Sequence, residues 1–190
     1  MWNLPNIITV GRLGLLPIIL WMLWPGIETR ELCYWASLLY GLAGILDIAD
    51  GAIARRTNSV TVIGKFLDPL VDKLFALITL IALLQLPGTW VPAWIVMVIA
   101  AREIVITGTR AIAASDGIII AAGEGGKLKT VFNTLGTCAL IMHYKYYVDF
   151  IVFKGVIDCY EIGLLLTYIS LAYSLTSAYQ YIKGFLQAQA

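Results

Sequence analysis

Runs of about 20 mostly apolar residues, the length a helix needs to cross a bilayer, recur six times along this chain. They extend from near Pro5 to Trp24, Leu32 to Arg55, Asp68 to Leu86, Trp90 to Ala114, Lys127 to Tyr144 and Val156 to Lys183. Pro87-Gly88 is a turn signal that stops the third run. Gly41 and Gly44 in the second are small enough to let another helix approach closely. The last run exceeds the bilayer thickness, so it is expected to tilt or protrude. The connections are short and no internal repeat stands out. The pattern predicts one domain over residues 1–190, an all-α bundle of six transmembrane helices. The first run lacks a basic start and a small-residue cleavage site, so it is expected to be retained rather than removed as a signal peptide.

Composition agrees with the pattern. The chain is 60% hydrophobic and 13% charged, against about 45–50% and about 25% in an ordinary soluble domain. A net charge of +1 leaves no basic stripe for a nucleic acid. Cys33, Cys138 and Cys159 lie far apart inside apolar runs, which fits packing rather than a disulfide or zinc framework. Basic residues set the orientation. Arg55, Arg56 and Lys65 lie between runs two and three, Arg110, Lys127 and Lys129 flank the connection of four to five, and Lys183 ends run six. That side, with both termini, is expected to face the cytoplasm of a bacterial-type inner membrane. Trp21, Trp24, Trp90 and Trp94 fall at the opposite boundary, where an interfacial aromatic belt belongs.

The apolar pattern breaks most sharply between Asp47 and Asp72. Asp47, Asp50, Gly51, Ala54 and Arg55 share one helix face by their spacing, and Gly64, Asp68 and Asp72 share a face of the next helix. The polar turn between them would fold the two faces together. Four carboxylates converging in a poorly hydrated bundle repel one another, and each unpaired buried charge costs several kcal/mol. A cation relieves this. The donors are all hard oxygens, which favours Mg²⁺ or Mn²⁺ over zinc, and four carboxylates suffice for the paired ions used in phosphoryl displacement. Gly51 and Gly64 would let a phosphate or nucleotide approach the backbone, and Arg55 offers a forked donor for phosphate oxygens. The blander alternative is a solvated helix end whose aspartates pair with Arg55, Arg56, Lys65 and Lys73. The small residues interleaved on both faces argue against it.

These residues spell D-x2-D-G-x2-A-R-x8-G-x3-D-x3-D, and at all eight fixed positions the chain resembles the CDP-alcohol phosphatidyltransferase family. Members of that family differ in acceptor alcohol. Pro5-Asn6-Ile-Ile-Thr9-Val-Gly-Arg12, Lys65 to Lys73, Ala101-Arg102-Glu103-Ile104 and Gly126-Lys127-Leu-Lys129-Thr130 resemble the branch that uses glycerol 3-phosphate. The resemblance implies attack of that alcohol's primary hydroxyl on the lipid-side phosphate of CDP-diacylglycerol, with CMP leaving. It implies that Asp47, Asp50, Asp68 and Asp72 surround a metal pair and that Asp72 also takes the acceptor's proton. Gly51, Arg55, Thr61 and Gly64, with Asn6 and Thr9, would line the CDP-diacylglycerol site. It also implies a homodimer among membrane lipids.

An acceptor carrying a phosphate needs cations beside the metals, and Arg102, Arg110, Lys127 and Lys129 form the remaining basic cluster on that side. Glu103 is expected to orient Arg102 and Arg110. The glycine-rich stretch Ser115 to Gly126 is expected to cover the acceptor. His143, Asp149, Asp158 and Glu161 belong to the opposite boundary and are expected to be interfacial or solvated. Two rival readings remain open: the same chemistry with inositol phosphate, serine or a lipid alcohol, and an ion-coupled transporter. Transport predicts acidic groups near mid-span in paired halves, whereas these gather at one helix end.

Overall fold

The computed structural model describes residues 4–56, 62–86, 91–115, 125–149 and 154–189; within these, 4–8, 48–56, 62–68, 125–127 and 189 are described by their backbone alone. Six helices are present: α1 (Leu4–Met22), α2 (Arg30–Arg56), α3 (Val62–Leu83), α4 (Ala93–Ser115), α5 (Gly125–Met142) and α6 (Cys159–Gln189). Between α5 and α6 stands a hairpin of β1 (Lys145–Asp149) and β2 (Lys154–Asp158).

The helices follow the apolar runs, with two differences. α3 begins at Val62 rather than near Asp68, because an apolar window marks the membrane-like core of a helix and not the helical turns before it. Gly64, Asp68 and Asp72 therefore all ride one continuous helix, with Pro69 inside it unable to donate to the carbonyl of residue 65. The second difference is the hairpin, which stands in the connection where the apolar pattern predicts no element. Its strands pair antiparallel in the register Lys145↔Asp158 to Asp149↔Lys154, placing opposite charges across from each other at both ends. Asp158, expected to be merely solvated, caps α6 by accepting the amide N–H of Tyr160 at 3.1 Å and of Glu161 at 3.3 Å. Arg30 secures the hairpin to α2, donating to the Lys145 carbonyl at 2.9 Å and lying over the Tyr146 ring.

One apolar core unites the helices. Ile19 and Leu23 of α1, Cys33, Ala36 and Tyr40 of α2, Leu80 and Leu83 of α3, Ile95 of α4, and Leu140 and Ile141 of α5 are buried together. All three cysteines are free thiols, and Cys33 and Cys159 are buried, as packing residues would be. Outward, large apolar side chains stand exposed: Trp35, Ile45, Met97, Ile104 and Leu165 are each more than half accessible. Trp21, Trp24 and Trp94 are exposed too, while Trp90 lies outside the described residues. Among the described residues, α6 has the length and apolarity to cross a membrane, over Cys159–Ala188. Thr9–Met22 and Leu128–Met142 are shorter apolar stretches.

The closest helix approach is between α5 and α6. A Cβ added at Gly163 would lie 2.8 Å from the Leu140 backbone nitrogen, and one at Gly136 would lie 2.9 Å from Thr167 Oγ1. Small residues at such crossings are what allow the backbones to meet. Gly44 of α2 serves similarly, 3.1 Å from the Thr134 methyl. Gly163→Ala is expected to destabilise the protein by about 1–3 kcal/mol, the usual cost of overpacking, read as a lower melting temperature of the detergent-solubilised protein. An unchanged melting temperature would show that α5 and α6 can part without cost.

Candidate functional site

Asp47 lies two-thirds of the way along α2 and Asp72 near the middle of α3, on consecutive helices whose connection, 57–61, lies outside the described residues. A residue of α1 links them. Arg12 is 2% exposed, and its guanidinium is paired with the Asp47 carboxylate and stands 3.9 Å from Asp72 Oδ1. The guanidinium also lies over the Phe75 ring, 5.9 Å from its centroid, and Phe75 stacks on Tyr40 of α2. Two signature carboxylates thus converge on a single positive charge, as like charges in a bundle must. Asp47 is the more tightly held. Asp72 is 47% exposed at its side chain and at the limit of ion-pair distance, and it borders the space beside it.

That space is a cavity of about 660 Å³, within the roughly 300–1,000 Å³ typical of small-molecule sites. Its wall is built from five helices besides α1. α2 and α3 contribute Tyr40, Gly44, Asp72 and Lys73, α4 contributes Arg102, Glu103 and Arg110, and α5 and α6 contribute Lys129, Asn133, Ser170 and Ser174. Five basic side chains line it (Arg12, Lys73, Arg102, Arg110 and Lys129) against two acidic ones, Asp72 and Glu103. A cavity with that balance favours an anion.

The basic groups are not equivalent. Glu103, 8% exposed, binds Arg102 Nη1 at 2.8 Å and pairs with Lys129. Arg102 also donates from Nε to the Ser174 carbonyl at 3.2 Å and from Nη2 to Ser177 Oγ at 2.7 Å, so it is clamped between α4 and α6. Lys73 bonds the Thr107 hydroxyl, which itself donates to the Glu103 carbonyl at 2.6 Å. Arg110 is exposed and lies against the Tyr181 ring, 5.4 Å from its centroid, with no ion pair among the described residues. Of Arg102, Arg110 and Lys129, the described residues among those expected to bind an acceptor phosphate, Arg110 therefore holds its donors most freely. Glu103 orients Arg102 as the sequence implied, but its second partner is Lys129 rather than Arg110.

Arg102 and Arg110 of α4 and Lys129 of α5 thus meet Asp72 of α3 at one cavity. Lys127 is located on α5 by its backbone alone; so are Asn6 on α1, Asp50, Gly51 and Arg55 on α2, and Gly64 and Asp68 on α3. Thr61 and residues 116–124 lie outside the described residues. Thr9 is buried on α1 and does not border the cavity. Sequence reasoning gave no role to Arg12, which was legible as a lone charge inside an apolar run, a functional signal by default. It also missed Ser170 and Ser174, for which no signal exists, since serines in an apolar helix are ordinary. His143 sits at the hairpin end of α5, with its ring 4.2 Å from that of Tyr144.

Residues 2–176 match the sequence model of the CDP-alcohol phosphatidyltransferase family. The chain is 41% identical over 153 residues to a CDP-diacylglycerol–glycerol-3-phosphate 3-phosphatidyltransferase of Bacillus subtilis, covering 75% of this chain and 78% of that protein. A protein of the same name from Rickettsia typhi is 30% identical over 185 residues, covering 97% of each. A cardiolipin synthase (CMP-forming) of Streptomyces coelicolor is 38% identical over 105 residues, covering 53% of this chain and 46% of that protein.

Proposed function

Because the chain belongs to the CDP-alcohol phosphatidyltransferase family, we propose the following account of how its cavity works on its substrates. The protein transfers the phosphatidyl group of CDP-diacylglycerol to glycerol 3-phosphate, giving phosphatidylglycerol phosphate and CMP. The primary hydroxyl oxygen of glycerol 3-phosphate bonds to the lipid-side phosphorus. The bond from that phosphorus to the bridging oxygen breaks, and CMP leaves with the electron pair. The observation that supports this most directly is the meeting of Asp72 with Arg102, Arg110 and Lys129 at one cavity.

Asp72 acts as the base. A general base must reach the proton it removes, and Asp72 is the signature carboxylate that lines the cavity with an oxygen not committed to Arg12. Arg110 takes the acceptor phosphate first, since Lys129 and Arg102 begin neutralised by Glu103. Lys129 and Lys127, two positions earlier on α5, add to that site. Asn6, Thr9, Gly51, Arg55, Thr61 and Gly64 serve the CDP-diacylglycerol side, where small residues let the nucleotide approach α2 and α3.

A divalent pair fits the residues present. Asp47 and Asp72 already converge on a positive charge, and both offer the hard oxygens that Mg²⁺ and Mn²⁺ prefer. Asp47, Asp50, Asp68 and Asp72 would hold the two ions. When bound, such ions neutralise the charge that develops on the pyrophosphate during displacement. The exposed apolar side chains on the outer faces support a six-span bundle in a bacterial-type inner membrane. The cavity and both termini then face the cytoplasm, where a soluble phosphate ester and a lipid nucleotide meet, and the enzyme works as a homodimer.

The likeness to a cardiolipin synthase favours one second reading, a lipid alcohol as acceptor. Purified protein supplied with CDP-diacylglycerol, Mg²⁺ or Mn²⁺ and one alcohol at a time distinguishes them by CMP release. Glycerol 3-phosphate is the expected acceptor. Release with phosphatidylglycerol, inositol phosphate or serine in its place would change the assignment, and no release with any alcohol would end the enzyme reading. Arg110→Ala is expected to raise the KM for glycerol 3-phosphate about 10- to 100-fold, the loss of a charged hydrogen bond of roughly 1.5–3 kcal/mol. The KM for CDP-diacylglycerol should hardly move, and an equal rise in both would remove Arg110 from the acceptor site.

A further inference from the structure

Three serines, Ser170, Ser174 and Ser177, follow one another on α6 at spacings of four and three residues, and so share a face. Two of their hydroxyls are used within the protein. Ser170 Oγ donates to the Lys129 carbonyl at 3.0 Å, and Ser177 Oγ accepts from Arg102. Ser174 differs. It is 2% exposed, it borders the cavity, and its Oγ has no hydrogen-bond partner among the described residues. A helical hydroxyl ordinarily returns to the carbonyl four residues earlier, as Thr107, Thr109 and Thr167 do here. Leaving a shielded hydroxyl unbonded costs about 1–3 kcal/mol. The turn that carries it is fixed in place, because the Ser174 carbonyl accepts from Arg102, whose guanidinium is clamped by Glu103 and Ser177.

We propose that Ser174 is a specificity-determining residue of the acceptor site and that it hydrogen-bonds the secondary hydroxyl of glycerol 3-phosphate. The assignment rests on the acceptor reading above. That acceptor has three polar ends. Its primary hydroxyl must reach Asp72, and its phosphate requires the cations. Its secondary hydroxyl can donate or accept, and a neutral partner that itself does both matches it in either role without competing for the phosphate or the metals, whereas an arginine or lysine can only donate and a carboxylate only accept. Serine does both. Moving Oγ to face the cavity takes rotation about a single χ1 torsion between staggered wells. A site built to bond a substrate hydroxyl discriminates against an analogue without it, because its own polar group is then left unpaired.

The test compares glycerol 3-phosphate with 3-hydroxypropyl phosphate, which keeps the primary hydroxyl and the phosphate but lacks the secondary hydroxyl. Steady-state kinetics of the full chain with CDP-diacylglycerol and Mg²⁺ are measured for the wild type, Ser174→Ala and Ser174→Thr. Ser174→Ala is expected to raise the KM for glycerol 3-phosphate about two- to twelvefold, one hydrogen bond of roughly 0.5–1.5 kcal/mol. It should leave the KM for 3-hydroxypropyl phosphate unchanged, and Ser174→Thr should recover the preference for glycerol 3-phosphate. Equal losses with both acceptors would overturn the assignment in favour of a phosphate contact or a packing role, and no loss with either would also overturn it. If the wild type failed to use glycerol 3-phosphate at all, the acceptor reading itself would fall, and the role of Ser174 with it.

Discussion

Asp72→Asn is expected to lower turnover by about two to four orders of magnitude, the usual contribution of a positioned general base, while the protein still folds. Asparagine keeps the shape and loses only the proton-accepting charge. Asp72 is the residue for this experiment because the structure separates it from Asp47. Asp47 is paired directly with Arg12, whereas Asp72 stands 3.9 Å from the same guanidinium and is nearly half exposed toward the cavity. A carboxylate so loosely held can accept a proton without dismantling its surroundings. Kinetics across a range of Mg²⁺ concentrations decide its role. If high Mg²⁺ restored turnover in the variant, Asp72 would serve only as a metal ligand and the base would have to be sought elsewhere.

Arg12→Met should have the other large effect, on stability rather than chemistry. Methionine fills much of the same volume against Phe75 and Tyr40 but leaves Asp47 and Asp72 facing each other without compensation. Breaking a buried ion pair costs about 3–5 kcal/mol, and here the carboxylates are one-third to one-half exposed, so solvent screening reduces the expected loss to about 1–3 kcal/mol. The loss should be largest in a chelating buffer and shrink when Mg²⁺ or Mn²⁺ is added, because the proposed ions supply the charge that the arginine supplied. Thermal unfolding with and without metal measures the difference. Identical losses under the two conditions would show that the ions and Arg12 do not address the same carboxylates.

Both experiments depend on residues that the sequence announces unequally. The aspartates are legible because their spacing is rigid and because carboxylates are expensive in apolar surroundings. Arg12 was visible as an isolated charge in α1, yet nothing local connects it to Asp47, 35 positions later. The Glu103–Lys129 pair and the Arg102 clamp on Ser174 and Ser177 join α4 to α5 and α6 across 26 to 75 positions. Helical periodicity predicts which residues share a face of one helix, not which faces meet. The basic residues of α4 and α5 could be nominated from their charge, but their ranking could not. That Arg102 and Lys129 are tied to Glu103 while Arg110 rests on Tyr181 is a result of packing.

The hairpin shows the same division. Lys145–Asp149 and Lys154–Asp158 are five-residue strands too short to outweigh the apolar helices on either side. Pairing decides such segments, because neither strand satisfies its backbone alone. The sequence by itself determined that this chain has six apolar helices with four aspartates on the second and third, since segment length and hydration energy act locally. Eight positions at fixed spacing also carried the resemblance to the CDP-alcohol phosphatidyltransferase family, and that resemblance implied the chemistry. Only the tertiary structure decided that a buried arginine from the first helix joins two of those aspartates, and that a cavity walled by the later helices opens beside Asp72. Those contacts exist because charges in a low-dielectric interior must find partners wherever the fold presents them, and partners distant in sequence are set by packing.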